Sequence, residues 1–490
     1  MVKSVKKQKG GAPSHWFILI LVALAQFMVV LDVSIVNVAL KSIKTAFNMT
    51  PGDLQWIVTA YALTFGGFLL LGGRAADLFG RRKVFLSGVV VFALASLADG
   101  FAGSGHQLII FRAIQGLAGA FMSPAALSIV LVTYKEGHDR NLALSVWGSV
   151  AAAGAAAGVL FGGIITTYLD WRWNFWVNVP VGIFVIFAAL RYIPAHESDL
   201  DHTDLDLPGA VLVTGGLISM VYALVKAPVD GWTSHTALTF FAIAIVALVG
   251  FVINEQRTTH PLVPFSIFKI RNVAGGDILF LFLAAGMFSV FFFTSLYLQS
   301  ILNYSALRTG LSFLVVPVAV GITAGNIPKL VKRVGYKRIL CVSPLFVSAG
   351  LFWLSHVPVN GTFWGNVAPG MILMGIGMGA TFVSGTIAAT SGVPHRESGL
   401  ASGLLNTSQQ IGGAVGLAVL SGLFVSATAR YLTNLHVQPT PQLLLAAQVH
   451  GYHIGYLIAS SFGLFSALAA VFIIRQPKGE VAEFDPAKMV

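Results

Sequence analysis

Between two long apolar segments the chain reads Gly72-Gly73-Arg74-Ala75-Ala76-Asp77-Leu78-Phe79-Gly80-Arg81-Arg82-Lys83. The segments on either side, 61–71 and 84–97, contain no charged residue. Glycine permits tight turns, and charged side chains are costly inside a bilayer. The stretch therefore predicts a short charged hairpin where the chain leaves a membrane and re-enters it at once.

The composition of the whole chain also indicates a membrane protein. Of its 490 residues, 56% are hydrophobic and 10% are charged, whereas soluble proteins carry about 25% charged residues. Backbone groups in a bilayer must be hydrogen-bonded within the protein, so spanning segments are helices of about 20 residues or strands of closed barrels. The apolar runs are long and lack the alternation of barrel strands. We therefore predict an all-α polytopic membrane protein.

Fourteen apolar runs are long enough to span the bilayer. The first follows a basic stretch but lacks a clear cleavage site, which favours a retained helix over a signal peptide. The predicted spans are 16–38, 55–73, 84–101, 106–132, 142–166, 174–193, 208–227, 236–255, 273–297, 310–328, 338–356, 366–389, 402–426 and 453–474.

The net charge of +11 is distributed unevenly among the predicted loops. Cytoplasmic loops of membrane proteins carry an excess of Lys and Arg. This asymmetry predicts cytoplasmic termini in a multi-pass protein of the plasma or inner membrane, and it accounts for the charge without a nucleic-acid partner. With the N-terminus inside, the basic residues left on the outer side are Lys41, Lys44, Arg172, Lys226, Arg308 and Arg430.

The chain repeats itself weakly along its length. The hairpin residues 77–83 have an echo in 332–338, and Gly154 and Gly158 have counterparts at nearly the same offset in Gly412 and Gly416. Two repeated halves of six helices are typical of transporters, whose substrate path lies between the halves near the midplane.

This repeat predicts a division of the chain into two halves with an insertion between them. The predicted segments are a basic cytoplasmic N-terminus (1–15), a first six-helix half (16–193), an acidic linker with two extra helices (194–269), a second six-helix half (270–475) and a cytoplasmic tail (476–490).

The acidic linker contains histidines as well as carboxylates, so a metal site is an alternative interpretation. A solvated linker is favoured, because the segment is short and polar. The chain contains no P-loop, so ATP does not drive transport. It also lacks a catalytic triad and metal-ligand spacing. We therefore expect no enzyme activity, no cofactor and no metal, with the proton motive force as the energy source. The linker's acidic and histidine residues are His196, Glu197, Asp199, Asp201, His202, Asp204 and Asp206.

Several stretches, in order along the chain, resemble the motifs of one transporter family, the fourteen-helix drug:proton antiporters of the major facilitator superfamily. The resemblance implies a major facilitator fold and export of drugs in exchange for protons. The matching stretches are 31–40 in the first span, 73–83 in the loop, 112–116 with Gly119 and Ala120 in the fourth span, Gly154, Gly158, Gly162 and Gly163 in the fifth, and 171–180.

Two positions depart from the motifs of that family. Val159 stands where the fifth-span antiporter motif usually has proline, which leaves the direction of transport open. Leu78 stands where the loop motif usually has a basic residue.

Asp32 and Arg112 are ionisable residues inside predicted spans. Both lie about 9 Å below the outer surface at the helical rise of about 1.5 Å per residue. Ionisable residues at such a depth face the protein interior, where they pair or contact water. A buried carboxylate beside an arginine can exchange a proton as the protein changes conformation, and the resemblance implies the same proton-coupling role. A static ion pair between two helices is the alternative.

Other residues are candidates for the transport pathway. Gln115 shares a helix face with Arg112 and can bond it or line a cavity. Phe288, Phe292 and Tyr297 are candidates for an aromatic cavity wall, with packing or lipid contact as the alternative. Asp277, near the inner start of the ninth span, is either an interfacial residue or a second proton site.

The loop and the fifth span are candidates for moving parts. In the loop, Gly73 and Gly80 permit a tight turn, and Asp77 can pair with a basic group or a helix N-terminus, with Arg81 and Arg82 beside it. This arrangement predicts a conformational latch, with a simple topology signal as the alternative. The small residues of the fifth span allow close helix packing, and we expect them to face the other half.

Three functions are consistent with the sequence. The first is a proton-driven exporter of small hydrophobic or amphipathic drugs that works by alternating access as a monomer in the lipid bilayer. The second is a proton-coupled or facilitative transporter of a small metabolite, and the third is a membrane sensor or scaffold that transports nothing. A coupled carrier requires Asp32 and Arg112, whereas a sensor tolerates their loss.

Overall fold

The structure is a computed structural model that describes residues 15–134, 138–194, 206–393, 398–434 and 440–476. The regular elements of these residues are helices, which confirms the predicted all-α membrane fold. The spans are α1 (His15–Phe47), α2 (Pro51–Phe79), α3 (Arg81–Phe101), α4 (Gly105–Thr133), α5 (His138–Tyr168), α6 (Trp173–Tyr192), α7 (Leu207–Asp230), α8 (His235–Arg257), α9 (Arg271–Ile301), α10 (Ala306–Val334), α11 (Tyr336–Leu354), α12 (Phe363–Thr390), α13 (Ser398–Asn434) and α14 (Pro441–Phe472). Thirteen of the described helices are long and apolar enough to cross a membrane, and α5, whose apolar part is Ala153–Tyr168, corresponds to the remaining predicted span.

Several spans are interrupted rather than continuous. A one-residue turn with helical φ and ψ divides α2 at Gln55, α6 at Val177 and α10 at Leu314. The last turn of α9 (Tyr297–Ile301) and the first turn of α12 (Phe363–Val367) are π-helical. A short 3₁₀ helix, Phe265–Lys269, leads into α9.

The connection between α2 and α3 is shorter than the predicted hairpin. Residues 74–79 are helical, and Gly80 alone joins the two spans with φ +92°, a conformation that glycine adopts without strain. Gly73 lies inside α2, where an added Cβ atom would make only an ordinary contact with Pro124. The close approach is at Gly72, where a Cβ atom would lie 2.1 Å from the carbonyl oxygen of Ala120 in α4.

The predicted repeat of this connection, at 332–338, has the same geometry. Gly335, with φ +83°, joins α10 directly to α11. The glycine pairs also correspond, because Gly158 packs on the backbone of α1 and Gly416 packs on the backbone of α9. The division into two halves remains a prediction of the sequence that these local similarities favour.

Some helices extend beyond the apolar runs that predicted them. α1 continues past residue 38 to Phe47, and α14 begins at Pro441 instead of residue 453. The start of α14 is set by polar chemistry, because the Thr440 hydroxyl accepts a hydrogen bond from the Leu443 amide and proline occupies the first turn. Hydropathy marks the bilayer-spanning part of a helix, not its capped ends.

The two extra helices occupy different environments. α8 packs on α7 and is mostly exposed, as expected of a helix that faces lipid. α7 also packs against α2 and α13 through an apolar cluster that seals one side of the junction between the predicted halves. That cluster contains Ala62, Leu63, Leu217, Val221, Val225, Ala414 and Ala418.

Most of the acidic linker, including His196, His202 and the acidic residues 197–204, lies outside the described residues, as do both predicted cytoplasmic termini. Asp206 is described, and it caps the N-terminus of α7 by accepting a hydrogen bond from the Gly209 amide at 2.8 Å. Its carboxylate also accepts the Asn254 amide of α8 at 2.8 Å. Asp206 therefore serves to join α7 and α8.

Candidate functional site

Asp32 and Arg112 form a buried ion pair between α1 and α4. The Arg112 Nη1 atom lies 2.5 Å from the Asp32 Oδ2 atom, and the two side chains are at most 2% exposed. Arg112 also donates from Nε to the Ile57 carbonyl oxygen of α2 at 3.2 Å. The predicted pair is therefore present, and it connects three helices.

Two amides complete the coordination of the carboxylate. The Asp32 Oδ1 atom accepts hydrogen bonds from Gln115 and Asn178, each at 2.9 Å. Gln115 in turn accepts from Arg112 and donates to the Ser96 hydroxyl of α3 at 2.6 Å. Three side chains from α4 and α6 thus donate to the Asp32 carboxylate of α1, and this number of charge-assisted donors suits an ionised carboxylate. Gln115 belongs to this network and is fully buried, so it lines no open cavity here.

Aromatic rings cover the arginine side of the pair. The Arg112 guanidinium carbon lies 4.4 Å from the ring centre of Tyr61 and 5.8 Å from that of Phe175. Such cation–π contacts favour the cation where water is excluded. The sequence indicated Asn178 and Phe175 only through the motif-like stretch 171–180. Tyr61 and Ser96 carried no signal, because an apolar or hydroxyl residue in a span has many possible partners.

The glycines of α5 pack mainly on α1, which corrects the expectation that they face the other half. A Cβ atom on Gly158 would lie 2.6 Å from the Ser34 Cβ atom and 2.8 Å from the Leu31 carbonyl oxygen, on either side of Asp32. Gly154 and Gly162 contact α1 in the same way. The motif therefore fits α5 closely against the helix that carries the carboxylate.

Gly163 alone of the motif contacts the other predicted half. A Cβ atom there would lie 2.9 Å from the Ala306 carbonyl oxygen at the start of α10. The contact is reciprocal, because a Cβ atom on Gly310 of α10 would lie 2.2 Å from the carbonyl oxygen of Val159. Two glycines thus allow the backbones of α5 and α10 to touch near the face that bears the α1–α2 and α9–α10 connections, which we call the outer face.

Polar side chains also join α1 and α9 near the outer face. The Ser295 hydroxyl donates to the Asn37 carbonyl at 2.5 Å, and the Gln299 amide donates to the Val38 carbonyl at 3.0 Å. Lys41 donates back from its ammonium to the carbonyl of Gln299. With the α5–α10 contact, these bonds form what we call the outer closure, so this conformation is closed at the outer face.

The predicted latch residues make their contacts within the first half. Asp77 pairs with Arg81 one turn later at 3.6 Å, with both side chains partly exposed. Arg82 donates to the Leu190 carbonyl of α6 at 2.6 Å. Leu78, which replaces the family's basic residue, is fully buried. This conformation therefore shows Asp77 bonded to its own hairpin, and its role as a latch remains a prediction.

The predicted aromatic cavity residues are core residues in this conformation. Phe292 and Tyr297 are at most 1% exposed, and the Tyr297 hydroxyl donates to the Pro358 carbonyl at 2.6 Å. Phe288 packs on Gly413 of α13. They belong to, or border, a cluster of rings that fills the second half. The other rings of this cluster are Phe293, Phe424, Tyr452 and Tyr456.

Two further carboxylates are buried in the spans. Asp277 is 7% exposed in α9 and lies beside Ser408 of α13, so it faces a neighbouring helix rather than an interface with water. Asp99 is fully buried in α3, close enough to Arg112 and Asp32 for their charges to act on it. Asp99 is not among the residues predicted above, although it is a lone acid in an apolar span, which is itself a signal of function.

Two antibiotic resistance and export proteins resemble this chain over most of its length. The puromycin resistance protein pur8 of Streptomyces alboniger is 36% identical over 472 residues, which cover 95% of this chain and 92% of the relative. The cephamycin export protein CmcT of Amycolatopsis lactamdurans is 37% identical over 416 residues, which cover 84% of this chain and 85% of the relative.

Solved transporters share the fold at low sequence identity. A bacterial homolog to the human lysosomal transporter Spinster aligns over 96% of this chain and 100% of its own length, with a TM-score of 0.67 and 16% identity. A D-xylose-proton symporter aligns over 95% of this chain and 99% of its own length, with a TM-score of 0.65 and 15% identity. The sequence model described as Major Facilitator Superfamily matches residues 22–417. The chain is therefore a membrane transporter, not an enzyme, and belongs to the major facilitator superfamily.

Proposed function

We propose that the chain exports hydrophobic or amphipathic antibiotics in exchange for protons. The observation that carries this proposal is the buried bond between Asp32 and Arg112, which holds a titratable carboxylate inside a transporter. Intramembrane ionisable residues commonly mark ion and proton pathways. The relatives support the class of cargo, because their names refer to antibiotic resistance or export.

Export is favoured over uptake of a metabolite. Relatives that are 32–37% identical over most of this chain are named for puromycin resistance, cephamycin export, tetracenomycin C resistance and export, and lincomycin resistance. Val159 leaves the fifth-span motif incomplete, but its carbonyl is covered by Gly310, so the helix contact that the motif serves is still made. A sensor is disfavoured by the transporter family and by the paired contacts between the halves.

Asp32 is connected to the outer closure through its own helix. α1 carries both the carboxylate and the carbonyls of Asn37 and Val38 that bond α9. Protonation of Asp32 would remove its charge and weaken its bonds to Arg112 and the two amides. The ionised state described above suits a carrier that has released its proton to the inner face and is ready for substrate. The membrane potential supplies about 2.3 kcal/mol per charge per 100 mV.

The proposed transporter has cytoplasmic termini and works as a single chain. The distribution of Lys and Arg supports cytoplasmic termini. With that orientation, the outer closure lies at the extracellular face and substrate would enter from the cytoplasm or the inner leaflet. One chain contains both predicted halves and the contacts between them, so we propose that it functions as a monomer in the cell membrane.

The test is uptake of puromycin into inside-out membrane vesicles energised by respiration. We expect accumulation by the wild type that a protonophore abolishes, and no accumulation by Asp32→Asn at equal membrane insertion. The matched control is Asp170→Asn, because Asp170 is exposed and pairs with Arg172 at 3.3 Å in a loop. Uphill accumulation by Asp32→Asn would exclude Asp32 from coupling, and accumulation insensitive to the protonophore would exclude protons. Ethidium serves as a second probe if puromycin is not a substrate.

A further inference from the structure

We propose that Asp99 is a second proton-binding carboxylate of this transporter, which exchanges Arg112 with Asp32 during the transport cycle. The inference rests on the proposed proton-coupled export and adds a residue that lies outside the motifs. It is carried by the burial of Asp99, the state of its two oxygens and its position next to the Asp32 network.

Asp99 is buried without hydrogen bonds. Its side chain is 0% exposed. Within the part of the chain that the structure describes, neither of its carboxylate oxygens has a hydrogen-bond partner. An ionised carboxylate in an apolar interior requires donors or a paired cation, whereas a neutral acid is tolerated far better. The environment therefore suits an Asp99 that holds a proton in this conformation.

The surroundings of Asp99 connect it to Asp32. Ser96 lies three residues earlier on the same face of α3, and its hydroxyl accepts a hydrogen bond from Gln115. The charged groups that act on Asp99 are Arg112 from α4 and Asp32 from α1. α6 contributes the uncharged Asn178, which bonds Asp32.

Asp99 also lies on the outer side of the network. It is in the last turn of α3, which ends at Phe101 near the outer face. The Trp176 indole packs on Gly100 and donates to the Leu97 carbonyl at 3.3 Å, so α6 covers this turn. A proton that enters from the outer face would therefore meet Asp99 before Asp32.

The proposed exchange conserves both charge and protons. In the described conformation Asp99 carries the proton, and Asp32 is ionised and bonded to Arg112. When the proton moves, the O–H bond of Asp99 breaks and an O–H bond forms on Asp32. The negative charge then resides on Asp99, and Arg112 follows it. Release of the proton from Asp32 to the inner face returns Arg112 to Asp32, and Asp99 takes up the next proton from outside.

The first arm of the test uses the purified protein without any substrate. Infrared difference spectra over a pH titration report the carbonyl band of protonated carboxylic acids. We expect one component of this band at neutral pH to be present in the wild type and in Asp170→Asn and absent in Asp99→Asn, whereas the component from other buried acids such as Asp277 stays in all three. Asparagine resembles a neutral acid in shape and charge, so this variant should fold, which thermal unfolding in detergent verifies. A band that persists unchanged in folded Asp99→Asn would overturn the proposal.

The second arm measures protons moved per puromycin in proteoliposomes. We expect Asp99→Asn to lower this ratio and to slow proton uptake by about tenfold or more, because a positioned proton carrier contributes about 10²-fold or more to proton transfer. A merely structural defect would lower both fluxes together and leave the ratio unchanged, which would contradict the inference. A wild type that moves no protons would overturn the proposed function itself. Coupling lost in Asp32→Asn but intact in Asp99→Asn would overturn only the role of Asp99.

Discussion

At the scale of single residues, the buried Asp32 carboxylate has one cation and two neutral amides as its partners. Arg112 supplies the positive charge, and Gln115 and Asn178 supply neutral donors. A buried ion pair contributes little net stability, but removal of one partner leaves an isolated charge in a low dielectric. The site should therefore be sensitive to loss of either charge and tolerant of loss of both.

Replacing Arg112 tests this asymmetry. We expect Arg112→Ala to destabilise the protein by about 3–5 kcal/mol, because Asp32 is left buried without its cation. Adding Asp32→Asn to that variant should recover most of the loss, since no uncompensated charge remains. Thermal unfolding of the purified variants in detergent measures both effects. A double variant that is no more stable than Arg112→Ala would show that packing of the guanidinium between Tyr61 and Phe175, not charge, is what matters.

At the scale of helices, the main structural result is that the glycine motif of α5 contacts two different helices. Gly154, Gly158 and Gly162 contact α1, whereas Gly163 contacts α10. Small residues at this spacing allow backbones to approach closely in a membrane. α5 therefore links the helix that carries Asp32 to α10 of the second half, so a shift of α1 can reach the outer closure through α5.

A side chain on Gly158 should interrupt this link. In Gly158→Ala the new methyl would lie 2.6 Å from the Ser34 Cβ atom, so α1 and α5 must separate. We expect a loss of puromycin export and a destabilisation of about 1–3 kcal/mol, the usual cost of overpacking. Gly321→Ala is the control, because no atom lies within 4 Å of its added methyl. Equal export by the two variants would mean that close α1–α5 packing is dispensable.

At the scale of the whole molecule, the described conformation is closed at the outer face, and Asp77 is bonded to its own hairpin. The predicted latch would act in the opposite conformation, in which the inner face is closed. Alternating access requires each conformation to be stabilised by bonds that the other lacks. The outer closure at Asn37, Val38 and Gln299 is one such set, and the hairpin is the candidate for the other.

Weakening each of these two sets of bonds should shift the balance between the two conformations in opposite directions. Asp77→Asn should favour the conformation described here, and Gln299→Ala should favour its opposite. The neutral bond of Gln299 to the Val38 carbonyl is worth about 0.5–1.5 kcal/mol and a charge-assisted bond of Asp77 about 1.5–3 kcal/mol, and a two-state balance shifts by such amounts. The measurement is the labelling rate, from the cytoplasmic side, of a cysteine at Ser149 in a Cys341→Ala background. Asp77→Asn should raise the rate and Gln299→Ala should lower it. Equal rates in all three backgrounds would reduce the hairpin to a topology signal.

The order of the spans and the pairing of Asp32 with Arg112 were both accessible from the sequence, and the orientation remains a prediction from it. Helix count follows from the length of apolar runs, and orientation follows from loop charge, both of which are local along the chain. The pairing could be expected because two ionisable groups at similar depth in a bilayer have few other partners.

The tertiary structure alone decided which surfaces meet. Gly158 and Gly163 belong to one motif, yet they contact different helices, and Phe292 and Tyr297 lie in a core instead of on a cavity wall. Every helix in such a chain is apolar around most of its surface, so hydropathy cannot distinguish a face that packs on protein from one that faces lipid. The burial of Asp99 beside Arg112 depends on the packing of α3, α4 and α6, which no spacing along the chain encodes.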